Sequence, residues 1–215
     1  MKLLSKAVLA AGLGILAGLP ALAAQLSEDA RAAIPKDVQQ LIVVDYRAMQ
    51  NSDAAMNLKA RILPPELKEL EQALKTSGLN DNHDIDELAF AAFRSSPSVD
   101  YTRIIGVAQG QFSLQDILAN FRKKKVKPTK IRDNALYPMG GSGMLVCFLN
   151  PTTMVFGSSD SIKYALDARD GLAPNLLSND SMMQQMSAVD NEPIWSILDQ
   201  KGTQMMMRGV LGDAS

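Results

Sequence analysis

The sequence predicts an α+β fold, with an antiparallel-rich sheet and helices on one face. Three observations predict it. Short β-branched and aliphatic runs recur along the chain, each closed by a Gly, Pro, Asn or Ser turn signal. Several segments carry apolar residues at helical spacing between start and stop signals. Turn sequences join several of the strand-like runs, and hairpins make antiparallel neighbours.

After a short lead-in over 27–33, residues 40–46 form an aliphatic and β-branched cluster that reads as a buried strand. Ser52 and Asp53 supply an N-cap for a helix over 53–62, which Pro64 and Pro65 break. A second helix is expected over 66–77, where Leu67, Leu70 and Leu74 share one face and Gly78 gives a C-terminal stop. A polar turn over 80–84 leads into two strands, 87–92 and 101–109, joined as a hairpin through Ser95-Ser96-Pro97-Ser98.

Ser113 and Asp116 then read as a capping box, and Leu114, Ile117, Leu118 and Phe121 trace a helical stripe that ends at Lys123-Lys124-Lys125. A strand over 126–132 follows. To this point the order is β-α-β-β-α-β, the ferredoxin-like split βαβ order. The second half leans on strands over 135–139, 144–149 and 152–157, separated by Gly140-Gly141-Ser142-Gly143 and Asn150-Pro151. Ser159 and Asp160 cap a helix that stops at Gly171, a further helix over 179–188 places Met182, Met183 and Met186, and a last strand surrounds Trp195. A helix over 203–211 is expected to end the chain. The strand, Ser-Asp cap and helix succession occurs at both Ser52 and Ser159, so two halves, 34–132 and 133–215, are a possible division of a single domain.

The first 23 residues read as an address. Lys2 and Lys6 precede an apolar run over 7–19, and Pro20 precedes Ala21-Leu22-Ala23, which predicts a signal peptide cut after Ala23. The run falls short of the roughly 20 residues that cross a bilayer, so no stable membrane span is expected after cleavage. No cysteine follows the cut to carry a lipid. The expected location is periplasmic or secreted, with residues 24–215 as one exported domain.

The leader holds two of the 22 basic residues and none of the 23 acids, which leaves the mature chain at about −3. Such a balance gives no global attraction to nucleic acid or to an anionic membrane. The lone Cys147 lies in an apolar run, cannot form an internal disulfide, and reads as a small buried hydrophobe.

Familiar catalytic patterns are missing. His83 is the only imidazole, and it sits in a polar turn where no nucleophile is evident. No mature lysine has a serine three residues before it, and Ser142 has Met144 where a nucleophile elbow needs glycine. One His and one Cys cannot make a structural zinc site, no register of the acids over 81–87 matches an EF-hand, and no phosphate-cradling glycine loop opens a helix. The chain is therefore expected to be non-catalytic and to need no cofactor. An enzyme using carboxylates brought together by the fold is the alternative that sequence leaves open.

Three binding candidates remain, one of them the apolar terminal helix with Met205, Met206, Val210 and Leu211, which docks on its own sheet or on another molecule. Arg122, Lys123, Lys124, Lys125, Lys127, Lys130 and Arg132 form a basic cluster suited to an anionic envelope component or protein; its helical members also complement the negative end of a helix. Met182, Met183 and Met186, with Met205, Met206 and Met207, offer thioethers of the kind that hold Cu(I), although methionine is also an ordinary core filler.

Ile34-Pro35-x-Asp37, Leu63-Pro64-Pro65, Gly78-Leu79, Asp84-Ile85-Asp86 and the run from Ala165 to Gly171 before Trp195 are similar to a group of uncharacterised exported bacterial proteins. The resemblance spans most of 34–200, and its motifs are structural. It implies export and no catalytic residue. Members of that group continue past a helix like the one over 203–211 with further strands.

Overall fold

The computed structural model describes residues 24–50, 84–94, 102–139 and 143–204. The leader, the helices expected over 53–62 and 66–77, His83, most of the Gly140 to Gly143 turn, and Met205 to Leu211 lie outside the described residues.

Eight strands form one sheet: β1 (Val38–Asp45), β2 (Ile85–Phe93), β3 (Arg103–Gly110), β4 (Thr129–Ile131), β5 (Asn134–Met139), β6 (Met144–Asn150), β7 (Thr153–Gly157) and β8 (Ile194–Leu198). Their spatial order is β4-β5-β6-β7-β3-β2-β1-β8, and every neighbouring pair is antiparallel. Two meanders, β1-β2-β3 and β4-β5-β6-β7, join edge to edge through β3 and β7, and β8 adds to the free side of β1. The sheet thus runs unbroken across the division at residue 132, which falls in the turn of the β4-β5 hairpin.

The helices are α1 (Glu28–Ala32), α2 (Tyr46–Gln50), α3 (Leu114–Lys123), α4 (Ser159–Arg169) and α5 (Asp180–Val189), with a 3₁₀ turn at Leu176–Ser178. The α+β class and the antiparallel sheet are as the sequence predicts. The β-α-β-β-α-β succession of the first half is met among the described elements by β1, α2, β2, β3, α3 and β4, but the pairing differs from the ferredoxin-like one. A split βαβ unit holds its two helix-linked strands apart with another strand between them, whereas here β1 pairs directly and antiparallel with β2, and β4 sits at the far edge of the sheet. Chain order alone carries no information about which strands hydrogen-bond.

Helices also cover both faces rather than one. Successive strand residues point to opposite faces, so a central strand apolar at most positions needs a partner layer on each side. One face carries Leu41, Val43, Ala89, Ala91, Val107 and Val155 against Ile162, Ala165 and Leu166 of α4 and Met182 and Met186 of α5. The other carries Phe90, Val146 and Phe156 against Tyr46 of α2 and Ile117 and Phe121 of α3.

The helix ends follow local chemistry. Ser158 Oγ caps α4 by accepting from Ser161 N at 3.1 Å, and Asn179 Oδ1 caps α5 by accepting from Met182 N at 3.1 Å. The cap of α4 is therefore one residue earlier than expected. Gly171, at φ +72°, ends α4 with Leu172 N donating to Asp167 O at 2.9 Å, a closure in which glycine relieves the left-handed strain. At α3 the capping box does not form. Ser113 makes no side-chain cap bond, and the helix start is held instead by Phe112 N donating to Pro151 O at 2.8 Å.

Candidate anion-binding edge

The stripe Ile117 and Phe121 fixes α3 on the sheet, with the Phe121 ring stacked on Tyr137 of β5 at 4.6 Å between centroids. The opposite side of its last turn is left to solvent. Arg122, Lys123, Lys124 and Lys125 are all exposed there, at the negative end of the helix, where Phe121 O and Arg122 O accept from Val126 N and Lys125 N. Lys125 takes φ +56°, which turns the chain off the helix axis toward β4. Lys127 and Lys130 continue the exposed run, and β4 is a three-residue edge strand. Lysines on a short edge also discourage pairing with another sheet.

Arg132 departs from the cluster. It occupies the hairpin turn at φ +53°, and its guanidinium bonds Asp167 at 2.7 Å and Asp170 at 2.9 Å at the end of α4. The hydrogen bond that Arg132 donates to Asp167 raises the Arg132 pKa further. Partial burial alone would raise Asp167, but hydrogen bonds from Lys163 and Arg132 outweigh it and hold the carboxyl below the usual carboxylate range. Asp170 is lowered by the Arg169 hydrogen bond and, less strongly, by Arg132. Six of the seven predicted basic residues therefore form the exposed run, and the seventh ties the hairpin to α4.

The methionine candidates are placed differently. Met182 and Met186 are 1% and 4% exposed in the core beneath α5, and Met183 packs against the same core. Dispersion contacts account for their positions. Among the described residues, no group of three or more His, Cys, Asp or Glu side chains is arranged to hold a metal ion. Cys147 is buried, which pushes its thiol up to about 11 despite the opposing field of Arg169.

One polar constellation was not foreseen. Asp45 and Glu87 are register partners, as are Glu87 and Gln109, which forms a row across β1, β2 and β3. The chain just before α1 crosses this row. Gln25 N donates to Glu87 Oε1 at 3.2 Å, Ser27 N donates to Gln109 Oε1 at 2.6 Å, and Gln109 Nε2 donates to both Gln25 O and Glu87 Oε2. Burial raises the Glu87 carboxyl to about 7; the Gln25 bond opposes the rise, and Asp45 and Asp86 add to it. The available signal was a lone Glu on the same alternation as Ala89 and Ala91, an acid where the pattern wants an apolar residue.

With this geometry in hand, known structures supply a likeness. The fold is shared with TP0453. Its crystal form III superposes with a TM-score of 0.50 at 11% identity, covering 87% of this chain and 69% of that one. Crystal form I gives a TM-score of 0.50 at 10% identity, covering 86% and 67%. Identity this low speaks to the fold alone. No protein family and no curated protein matches the chain. Among the described residues, no helix is long and apolar enough to cross a membrane.

Proposed function

We propose that this chain is an exported, non-catalytic protein of the bacterial envelope that binds an anionic surface through the basic edge. One observation carries the reading: residues 122–130 hold six basic side chains, all exposed, with no acid among them. In a mature chain near −3 overall, such a run makes a local positive field on an otherwise acidic surface. The ionisable groups a catalytic reading would recruit have structural tasks instead. Asp45 Oδ1 accepts from Ala48 N at 2.7 Å at the start of α2, Glu87 holds the entering chain, and Asp167 and Asp170 hold Arg132.

A basic residue near an anionic leaflet contributes about 1 kcal/mol. Reversing Lys123, Lys127 and Lys130 to Glu should therefore weaken retention on phosphatidylglycerol-containing vesicles by about a hundredfold or more. The mature protein is expected to sediment with such vesicles at low salt, to be released at high salt, and to ignore vesicles of phosphatidylcholine alone. Absence of retention at low salt, or equal retention of the triple variant, retires this surface.

A further inference from the structure

We propose that the Asp45-Glu87-Gln109 row is the seat of the α-ammonium group created by cleavage after Ala23, so that removal of the leader sets a positive charge beside its carboxylates. The inference rests on the export reading, because only that cut places a free amine at Ala24. In the cut, a peptidase adds water across the Ala23–Ala24 amide. The carboxylate departs with Ala23, and the amine of Ala24 takes up a proton.

The geometry leads there directly. Ala24 is fully buried, and its carbonyl accepts from Trp195 Nε1 at 3.0 Å. The next amide, Gln25 N, already rests on Glu87 Oε1 at 3.2 Å. One residue step is about 3.8 Å, so the Ala24 nitrogen lies no more than about 7 Å from the same carboxylate, within reach of a charge–charge interaction. Trp195 and Asp45 reach this point together, since Trp195 pairs with Val43 on β1 and Asp45 lies two residues on.

Among the described residues, no cation is paired with Glu87. Asp45 is its register partner, and Asp86 precedes it and pairs with Arg47. On α1, Arg31 Nε bonds Ser27 O at 3.3 Å, Glu28 lies in the first turn, and Asp29 accepts from Asn150 at 2.7 Å. With an uncharged amide at residue 24, the Glu87 carboxyl stays high, near 7. An ammonium beside it would favour the carboxylate and bring it down. The burial of Ala24 also means that cleavage must precede docking, because a peptidase cannot engage a residue enclosed by the sheet.

The test uses protein exported and processed by its host cell. Mass analysis comes first: an uncleaved chain overturns the export reading and this inference with it, and a processed terminus other than Ala24 overturns this inference alone. If Ala24 is the terminus, the α-amine is selectively acetylated, and processed and blocked samples are compared as wild type and as Glu87→Gln.

A carboxyl raised in the folded state favours folding at low pH, and that advantage is lost as pH rises. The blocked wild type should therefore lose thermal stability between pH 4.5 and about 7, while the processed protein stays level. Blocking should cost several degrees in the wild type at neutral pH and much less in Glu87→Gln. Should that variant not fold, the Glu87 carboxyl carbon is titrated by NMR in wild type alone, with a pKa lower by about one unit or more expected in the processed form. Equal titration in both forms, or equal cost of blocking in both backgrounds, overturns the seat while leaving export intact.

Discussion

On one face of the sheet, small residues let helices settle close, and on the other, aromatic rings fill the gap. Ala89 and Ala91 of β2 underlie the first face, where α4 adds Ala165 and the N-terminal chain adds Ala24 and Ala30. The second face places Phe90 edge-on to Phe156 at 5.8 Å, Phe112 edge-on to Phe148 at 5.7 Å, and Phe121 stacked on Tyr137. The first face has one edge-on ring pair, Phe93 and Tyr164 at 5.6 Å, and otherwise spreads its burial over many small contacts and recruits backbone hydrogen bonds from 24–27. The second concentrates it in a few rings. Stability should therefore be divided among many positions on the small-residue face and depend more on single positions on the aromatic one.

The largest expected effect is at Phe156, which is 2% exposed. Phe156→Ala should cost about 3–5 kcal/mol, since it removes both transfer energy and the edge contact with Phe90 and leaves a cavity between sheet and helix. Chemical denaturation with an unchanged m-value measures it. A loss below about 1 kcal/mol would erase the contrast between the faces.

The reciprocal change is at Gly106, the register partner of Phe156. A Cβ there would lie 2.1 Å from the Phe156 ring, so the ring occupies the space that glycine leaves. Gly106→Ala should destabilise by about 1–3 kcal/mol through overpacking, although alanine ordinarily suits a strand better than glycine. Combined with Phe156→Ala, the penalty should largely vanish, because the clashing ring is gone.

These positions show what could be read in advance. The α3 stripe was legible because a period near 3.6 over several turns has few competing explanations. Strands β6 and β7 were legible because Asn150-Pro151 marks the turn between them. Sheet order was not, since a period of two tells a side chain's face and nothing of its neighbour strand. Ile104 and Ile105 illustrate the limit. Adjacent strand residues face opposite ways, and two neighbouring isoleucines do not say which of them points inward: Ile104 is 37% exposed and Ile105 is fully buried. The basic edge was visible as a run of charge, but the diversion of Arg132 to α4 depends on acids 35 and 38 residues away. The Glu87 row was hidden for the same reason, because Gln25 lies 62 residues from it in sequence.

The smallest effect falls on the small-residue face and tests how its burden is shared. Trp195 is 5% exposed and sends its one donor to Ala24 O. Trp195→Phe keeps most of the ring and removes the indole N–H, leaving the buried carbonyl without that donor. A neutral hydrogen bond contributes about 1 kcal/mol net, so global stability should fall by about that amount plus a small packing loss. The local consequence should be larger than the global one. With the Ala24 anchor released, the amides of Gln25 and Ser27 should exchange with solvent faster than those of β1 and β2, because opening there no longer breaks the tryptophan bond. If those amides keep their protection, the first face is held by its packed small residues alone, and the hydrogen-bonded N-terminal chain is a passenger on it.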